Sequence, residues 1–255
     1  MPYVLPADEL HIWQSRIDWS PACIGELGLL LSPEERRRVE RFQHDADRRR
    51  LVVGRGLLRL ILAHLLRTRP DVIEFAHNEY HKPSLAIEPH TSGLQFNVSH
   101  SADLVLLAFA TGRAVGVDVE KLRTGSAIDG IAASHFSLRE REDLATVSSD
   151  LKLEAFFACW TRKEAFIKAR GLGLSMPLDQ FDVSLLPGQP AELRATRPDP
   201  AERTRWAVTD LEIEPGYKAA VAIEGSGRPI KRWLWPSDCL SLQDVFSRPL
   251  APPPA

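Results

Sequence analysis

The sequence has few cysteines and no long hydrophobic run. Its three cysteines, Cys23, Cys159 and Cys239, lie far apart, without the paired spacing of a metal or redox motif. The most apolar stretch, residues 57–66, contains an arginine and a histidine and is too short to span a bilayer. Positions 8 and 9 are acidic, and the N-terminal region lacks the apolar core of a signal peptide. These absences predict a cytoplasmic protein with reduced thiols and no membrane partner.

An excess of one charge is also missing. The 32 basic and 34 acidic side chains give a net charge of −2, which offers no support for nucleic-acid binding. Arginines are nevertheless concentrated between Arg36 and Arg59. Such runs usually form solvated helix faces, and an anion site is the alternative. Length and composition fit a globular protein with a sizeable core, in one large domain or two smaller ones.

Two stretches of the chain begin with the same helix-start signal. Ser32 with Glu35, and Ser137 with Glu140, form S-x-x-E capping boxes that satisfy the first free amides of a helix. Each half should contain an opening strand (9–13, 114–120), a long amphipathic helix (47–66, 151–170), a short apolar segment (72–75, 181–185) and two strands (95–99 and 104–110, 206–211 and 217–223). The repeat predicts an α+β protein with lobes over 1–112 and 113–226. Residues 227–255, rich in proline, should form a tail whose two tryptophans pack on a lobe.

The second long helix carries a carboxylate among apolar side chains. At about 100° per residue, Glu164 falls within an apolar stripe, and Lys168 lies one turn further along. The stripe consists of Leu153, Phe156, Phe157, Trp160 and Ile167. An unpaired charge there would be costly, so Glu164 should hold a proton, a cation or a metal. An ion pair between Glu164 and Lys168 is the simpler alternative.

Two further carboxylates share one face of a predicted strand. In Gly116-Val-Asp-Val-Glu120, valines alternate with Asp118 and Glu120, which lie about 7 Å apart along the strand. Such pairs are most often solvated. Together with Glu164, however, they offer three oxygen donors, which suits Mg²⁺. This combination predicts a metal site.

A third stretch supplies groups that can bind an anion. In Phe96-Asn-Val-Ser-His-Ser101, Ser99 and His100 lie where a strand opens into a turn. Lys82, which precedes a proline in extended chain, could reach the same anion. A histidine that only caps the turn is the alternative. The sequence here has no G-x-S-x-G elbow, so a hydrolase triad is not indicated.

These blocks, with Trp160-Thr-Arg-Lys-Glu-Ala-Phe-Ile-Lys168, resemble in sequence and order the motifs of 4′-phosphopantetheinyl transferases. The similar class is the long, two-lobed, surfactin-synthetase-activating type, whose fold is a pseudo-twofold pair of α+β lobes. The resemblance implies that Mg²⁺, with Mn²⁺ as a possible substitute, is held by Asp118, Glu120 and Glu164. It implies that the phosphates of coenzyme A are contacted by Ser99, His100, Lys82 and Lys168. Arg38 matches a basic phosphate-binding position, whereas Glu35 stands where some relatives have a lysine.

The activity implied is transfer of the 4′-phosphopantetheine arm of coenzyme A to a serine of an apo acyl- or peptidyl-carrier protein, with release of 3′,5′-ADP. Such enzymes serve fatty-acid, polyketide and nonribosomal peptide synthesis, and we expect a monomer that binds neither nucleic acid nor membrane. Glu164 is the best-placed base for the serine. Glu140 is a second candidate, although a capping role suits it better. Lys168 would stabilise the phosphate under attack. The stretch 121–135 should be a mobile loop that orders against the carrier, with Arg123 assisting.

Two other classes stay open at this point. The run Asp118-x-Glu120-Lys121 resembles the core of metal-dependent nucleases, but there the first acid is separated from the E-x-K, and here they are contiguous. Near-neutral charge also disfavours a DNA groove. A non-catalytic carrier-binding module would be expected to have lost a carboxylate or Lys168, and this chain keeps them all.

Overall fold

The computed structural model describes residues 5–86, 93–124, 127–227 and 229–235, which form a mixed α+β structure. The elements are β1 (Leu10–Arg16), α1 (Pro21–Leu29), α2 (Pro33–Arg41), α3 (Asp45–Leu66), β2 (Phe75–His77), β3 (Pro83–Leu85), β4 (Leu94–Ser101), β5 (Leu104–Thr111), β6 (Val115–Lys121), α4 (Ile128–His135), α5 (Leu138–Thr146), α6 (Lys152–Arg170), β7 (Phe181–Val183), β8 (Leu193–Thr196), α7 (Glu202–Arg205), β9 (Trp206–Asp210), β10 (Tyr217–Glu224) and β11 (Ile230–Trp235). In the part of the chain described, no helix is long and apolar enough to cross a membrane.

The chain divides into two compact units. The first comprises Met1–Ala76, Pro83–Gly112 and Pro229–Ala255, and the second comprises His77–Lys82 and Arg113–Arg228. Within the described residues, each half has in chain order a strand, three α-helices, two short strands and an antiparallel pair, with α7 added in the second half. The order of elements therefore repeats as the sequence predicts. The twofold relation between the lobes stays a prediction.

The first unit is built on a four-stranded sheet in the order β11-β1-β5-β4. Helix α3 supplies Leu57 and Leu58 to the core, where they join Trp13 and Leu107 of the sheet. Helix α2 starts at the predicted capping box, in which Ser32 accepts a hydrogen bond from the Glu35 amide. Strands β1, β4 and β5 end one to three residues beyond the predicted bounds because their ends remain paired with neighbouring strands.

The prediction of a separate tail over 227–255 is wrong for the residues that the structure describes there. Residues 230–235 form β11, which pairs in parallel with β1. Pro229, one of the prolines that suggested a tail, directly precedes this strand and does not interrupt it. Trp233 stacks on Trp13 with 5.2 Å between ring centroids, and Trp235 is buried, so the predicted packing of both tryptophans is confirmed. Residues 236–255 lie outside the described part.

The second unit places α6 on a three-stranded sheet in the order β6-β10-β9. The helix ends at Gly171, which has a left-handed φ of 70°, as predicted. The predicted mobile loop over 121–135 is wrong for its second half, since α4 is a helix there. Ile128 and Ile131 pack against the second core and Ala132 belongs to it, which explains the ordered helix. Residues 125 and 126 lie outside the described part.

Candidate functional site

The candidate site lies where helix α6 packs directly against strand β6. A Cβ at Gly116 would come within 2.2 Å of both the Ala165 carbonyl oxygen and the Ala169 amide nitrogen. On the neighbouring strand β10, Ala222 lies opposite Gly116 and Ala220 opposite Asp118. Small residues on this face of the sheet therefore allow backbone-to-backbone contact with the helix. Because side chains alternate along a strand, Asp118 and Glu120 share the face that α6 covers.

The carboxylates of β6 and α6 influence one another strongly. Asp118 is buried, whereas Glu120, Glu164 and Lys168 are partly buried. The Lys168 ammonium donates a 2.6 Å hydrogen bond to Oδ1 of Asp118. Burial, and then the charge of Asp118, raise the pKa of Glu164 to about 7, while Lys168 opposes this rise and Glu120 adds to it. Glu164 therefore lies in an electrostatic environment that favours a bound proton or a cation.

Helix α6 is buried around most of its circumference, so its buried surface extends beyond the predicted apolar stripe. Polar Thr161, Arg162 and Lys163 are as buried as the phenylalanines beside them. By contrast Trp160, Glu164 and Lys168, spaced four residues apart, are only partly buried and lie on a partly open edge of the helix. All five residues of the predicted stripe belong to the second core or pack against it, and Glu164 lies among them, partly buried. Apolar periodicity alone could not predict that the other sides of the helix are buried, because the polar residues there have partners that the local sequence does not reveal.

The carboxylate groups of Asp118, Glu120 and Glu164 are ligands that a hard divalent cation prefers, but the three side chains do not converge on one point. In the described ranges, no group of three His, Cys, Asp or Glu side chains is arranged to hold a metal ion. The donors are all carboxylate oxygens, which Mg²⁺ prefers, and a nearby cation would relieve the unfavourable charge on Glu164. A metal bound through Oδ1 of Asp118 would share this oxygen with the Lys168 ammonium or displace that ammonium.

Glu140, the second candidate for a base, is a buried structural group. Its Oε2 accepts from the Ser137 amide at 2.9 Å and lies 2.8 Å from the Lys163 ammonium. Its Oε1 accepts from the Val183 amide at 2.8 Å. Lys163 is also fully buried and donates to two backbone carbonyls. Both Glu140 oxygens are thus engaged, and the predicted capping box is confirmed.

Lys82 belongs to the second unit and is largely buried. Its ammonium donates to the carbonyl oxygens of Val115 at 3.2 Å and of Ala169 at 3.0 Å. Burial lowers its pKa to about 8. The sequence indicates no such contacts, because both acceptors are backbone groups distant along the chain.

The other predicted phosphate ligands belong to the first unit. Ser99 is buried and His100 is exposed near the end of β4, just before the two-residue turn to β5. Arg38 is exposed on α2. Glu35, in the first turn of the same helix, is directed inward: its Oε2 accepts from the Ser32 amide at 2.8 Å and from Arg59 at 2.9 Å. The position that departs from the family pattern thus carries a structural ion pair.

Comparison with known proteins decides the family. Residues 18–112 match the sequence profile described as "4'-phosphopantetheinyl transferase, N-terminal", and residues 114–222 match "4'-phosphopantetheinyl transferase superfamily". The chain is 36% identical over 229 residues to the 4'-phosphopantetheinyl transferase HetI of Nostoc sp., covering 90% of this chain and 93% of that protein. It is 35% identical to Sfp of Bacillus subtilis, over 75% of this chain and 81% of Sfp. The chain belongs to the 4′-phosphopantetheinyl transferase family.

Membership of this family makes the chain an enzyme that transfers phosphopantetheine to carrier proteins. The nuclease and binding-module alternatives are not supported. A more distant relative is the L-aminoadipate-semialdehyde dehydrogenase-phosphopantetheinyl transferase of Mus musculus, 30% identical over 76% of this chain and 67% of that protein. The matches span both units, so the resemblance drawn from the motifs is confirmed.

Sequence reasoning missed two residues that shape the site. Gly116 begins the strand motif that carries Asp118 and Glu120, and its lack of a side chain allows α6 to approach β6. Lys163, which directly precedes Glu164 on α6, forms a buried ion pair with Glu140 of α5. A glycine inside a strand pattern is a recognised sign of close backbone approach, so Gly116 could have been identified. Lys163 could not, because its partner lies on a different helix.

Proposed function

We propose that this chain is a Mg²⁺-dependent enzyme that transfers the 4′-phosphopantetheine arm of coenzyme A to a serine of an apo acyl- or peptidyl-carrier protein, releasing 3′,5′-ADP. The observation that carries the proposal is the grouping of Asp118, Glu120, Glu164 and Lys168 where β6 meets α6. Mn²⁺ would be an alternative metal with the same oxygen ligands.

The three carboxylates would hold the metal, and the metal, when bound, would neutralise charge on the pyrophosphate of coenzyme A. Lys168 is within hydrogen-bonding distance of Asp118 now, and opening of that pair would let its ammonium stabilise the phosphate under attack. Glu164 would accept the proton of the carrier serine. Its raised pKa, about 7 before metal binds, lies near the operating range of a general base.

The first unit would supply contacts to the phosphates of coenzyme A. His100 is exposed and can donate to a phosphate, and Ser99 is adjacent to it on β4. Arg38 is an exposed guanidinium suited to a phosphate at the nucleotide end. The resemblance also assigns Lys82 to the phosphates, but two of its three N–H donors are bonded to carbonyls.

The carrier protein would dock against α4 and α5. A groove here is lined by Asp129, Ala132, Ala133, Arg141, Leu144, Ala145 and Lys152. Leu138, at the start of α5, is 64% exposed, which is unusual for a leucine in a folded domain. An exposed leucine beside basic side chains is complementary to an acidic amphipathic helix, the type expected near the acceptor serine of a carrier.

The test is intact-mass measurement of purified apo-carriers after incubation with coenzyme A, Mg²⁺ and this protein. The panel should include fatty-acid, polyketide and peptide-synthetase carriers. A carrier should gain the mass of the arm, 3′,5′-ADP should appear, and a chelator should stop both. The matched control is the same carrier with its acceptor serine replaced by alanine. A folded enzyme that modifies no carrier in the panel would contradict the proposal.

A further inference from the structure

Residues 77–82 are a short excursion of the chain into the second unit. The chain before and after this segment belongs to the first unit. Asn78 closes the segment into a turn. Its side-chain Oδ1 accepts hydrogen bonds from the backbone amides of Tyr80 at 3.0 Å and Lys82 at 2.8 Å. The backbone amide of Asn78 donates to the Lys82 carbonyl at 3.1 Å. Within the turn His81 has a φ of 63°, in the left-handed region. The segment is thus a defined turn.

This turn is bound to the C-terminal end of α6. Asn78 donates through Nδ2 to the Gly171 carbonyl at 2.7 Å. The Lys82 stem lies against Gly171, where an added Cβ would be 3.1 Å from its Cδ. The Lys82 ammonium then reaches the carbonyl of Ala169, in the last turn of α6. Carbonyls in that turn lack intrahelical partners, and the negative end of the helix dipole favours a cation there.

The same ammonium also bonds the first residue of the strand that carries the carboxylates. Val115 opens β6, with Gly116 next and Asp118 three residues on. Ala169 directly follows Lys168 in sequence, and its backbone packs directly against Gly116. One lysine therefore links the start of β6 to the end of α6, beside the glycine that sets their separation. Moving the ammonium onto a phosphate would leave both carbonyls without this donor.

We propose that Lys82 is a positioning residue: together with Asn78 it holds the start of β6 against the last turn of α6, and so fixes the spacing between the Asp118–Glu120 pair and Glu164. This rests on the proposed function, in which those carboxylates hold the metal. Lys82 then acts on metal binding through the backbone, without touching coenzyme A.

Lys82→Met tests this, since methionine keeps most of the stem and removes every donor. Mn²⁺ binding, followed by electron paramagnetic resonance without coenzyme A, should weaken by about 10-fold, the usual loss when support behind a metal ligand is removed. Amide hydrogen exchange in the metal-free protein should become faster over 115–121 and 165–171. Coenzyme A affinity, measured by calorimetry in chelator, should not change. Lys82→Arg, which can donate to both carbonyls, should restore most of the Mn²⁺ affinity.

Lys231→Met is the matched control, because this lysine on β11 is half exposed and its change should leave all three measurements unaltered. Should Lys82→Met fail to fold, Asn78→Ala, which keeps the Lys82 charge, should still weaken Mn²⁺ binding and speed exchange. Loss of coenzyme A affinity in chelator overturns the proposal, and so do unchanged Mn²⁺ affinity and exchange. If the wild type binds no Mn²⁺, the metal assignment fails, and the exchange data alone decide whether Lys82 holds the two elements together.

Discussion

Gly116 lies so close to Ala165 that a Cβ on the glycine would be 2.2 Å from the Ala165 carbonyl oxygen. Real Cβ atoms do not approach a backbone oxygen so closely, and a backbone cannot yield as a flexible side chain can. Glu164 precedes Ala165, and Asp118 lies two residues beyond Gly116 on the same face. The grouping of the two carboxylates thus depends on the absence of one methyl group.

Gly116→Ala should separate α6 from β6 and abolish transfer. Overpacking of this kind costs about 1–3 kcal/mol, so thermal unfolding should also occur at a lower temperature. The matched control is Gly130→Ala on α4, where an added Cβ meets nothing within 4 Å. That change should be neutral or stabilising by about 0.5–1 kcal/mol through helix propensity. A fully active Gly116→Ala enzyme with unaltered unfolding would mean that the contact does not set the site.

Glu164 should make the metal-free protein less stable as pH rises. Its pKa is about 7 when folded, against an ordinary value of 4.5, so the folded state binds the proton more tightly. The stabilisation is complete below about pH 4.5 and is lost as pH rises through about 7. Glu164→Gln cannot titrate, so in chelator the wild type should lose up to about 3 kcal/mol relative to this variant between pH 5 and pH 8. Parallel melting curves across that range would refute the assignment.

The two roles proposed for Glu164 can be separated by metal rescue. Asp118→Asn weakens one ligand but leaves the base, so excess Mg²⁺ or Mn²⁺ should recover part of its transfer activity. Glu164→Gln removes both ligand and base and should recover little. Transfer rates across a metal titration give the comparison. Equal recovery would make Glu164 a ligand only, and the base would then be solvent, because Glu140 is enclosed by Lys163 and two amides.

His100→Ala should weaken coenzyme A binding. A charged hydrogen bond to phosphate contributes about 1.5–3 kcal/mol, which calorimetry resolves easily. The side chain is exposed at the end of β4, so the melting temperature without ligand should hardly change. Unchanged affinity would show that His100 only caps the turn between β4 and β5.

Leu138→Asp with Arg141→Glu should raise KM for the carrier and leave KM for coenzyme A unchanged. Both residues are exposed on α5, unlike Ile128 and Ile131 of α4, which are needed for packing. If these residues are among the few that carry most of the binding energy, their loss costs about 1 kcal/mol or more, so KM should rise by about fivefold or more. Leu29→Asp is the control, since this leucine of the first unit is 76% exposed. Equal increases in KM for both substrates would indicate that α5 supports the active site and does not bind the carrier.

Local signals in the sequence predicted much of the fold. The capping boxes at Ser32 and Ser137 and the Gly171 stop depend only on neighbouring residues, and all three are present. The strand alternation that grouped Asp118 with Glu120 is equally local. Contacts between distant segments could not be predicted in this way. The partners of Lys82 are 33 and 87 residues away along the chain, and both are carbonyls that every residue carries.

The parallel strand β11 has a consequence for synthesis of the chain. Trp13 is covered by Trp233 and Trp235, more than two hundred residues later. A nascent chain that has reached Gly112 therefore contains α1, α2 and α3 but leaves one edge of the sheet unpaired and an indole uncovered. Such edges are prone to association while translation continues. Synthesis of the second unit therefore precedes completion of the first sheet, and, since residues 77–82 belong to the second unit, a gene divided at Gly112 would leave each unit without one of its segments.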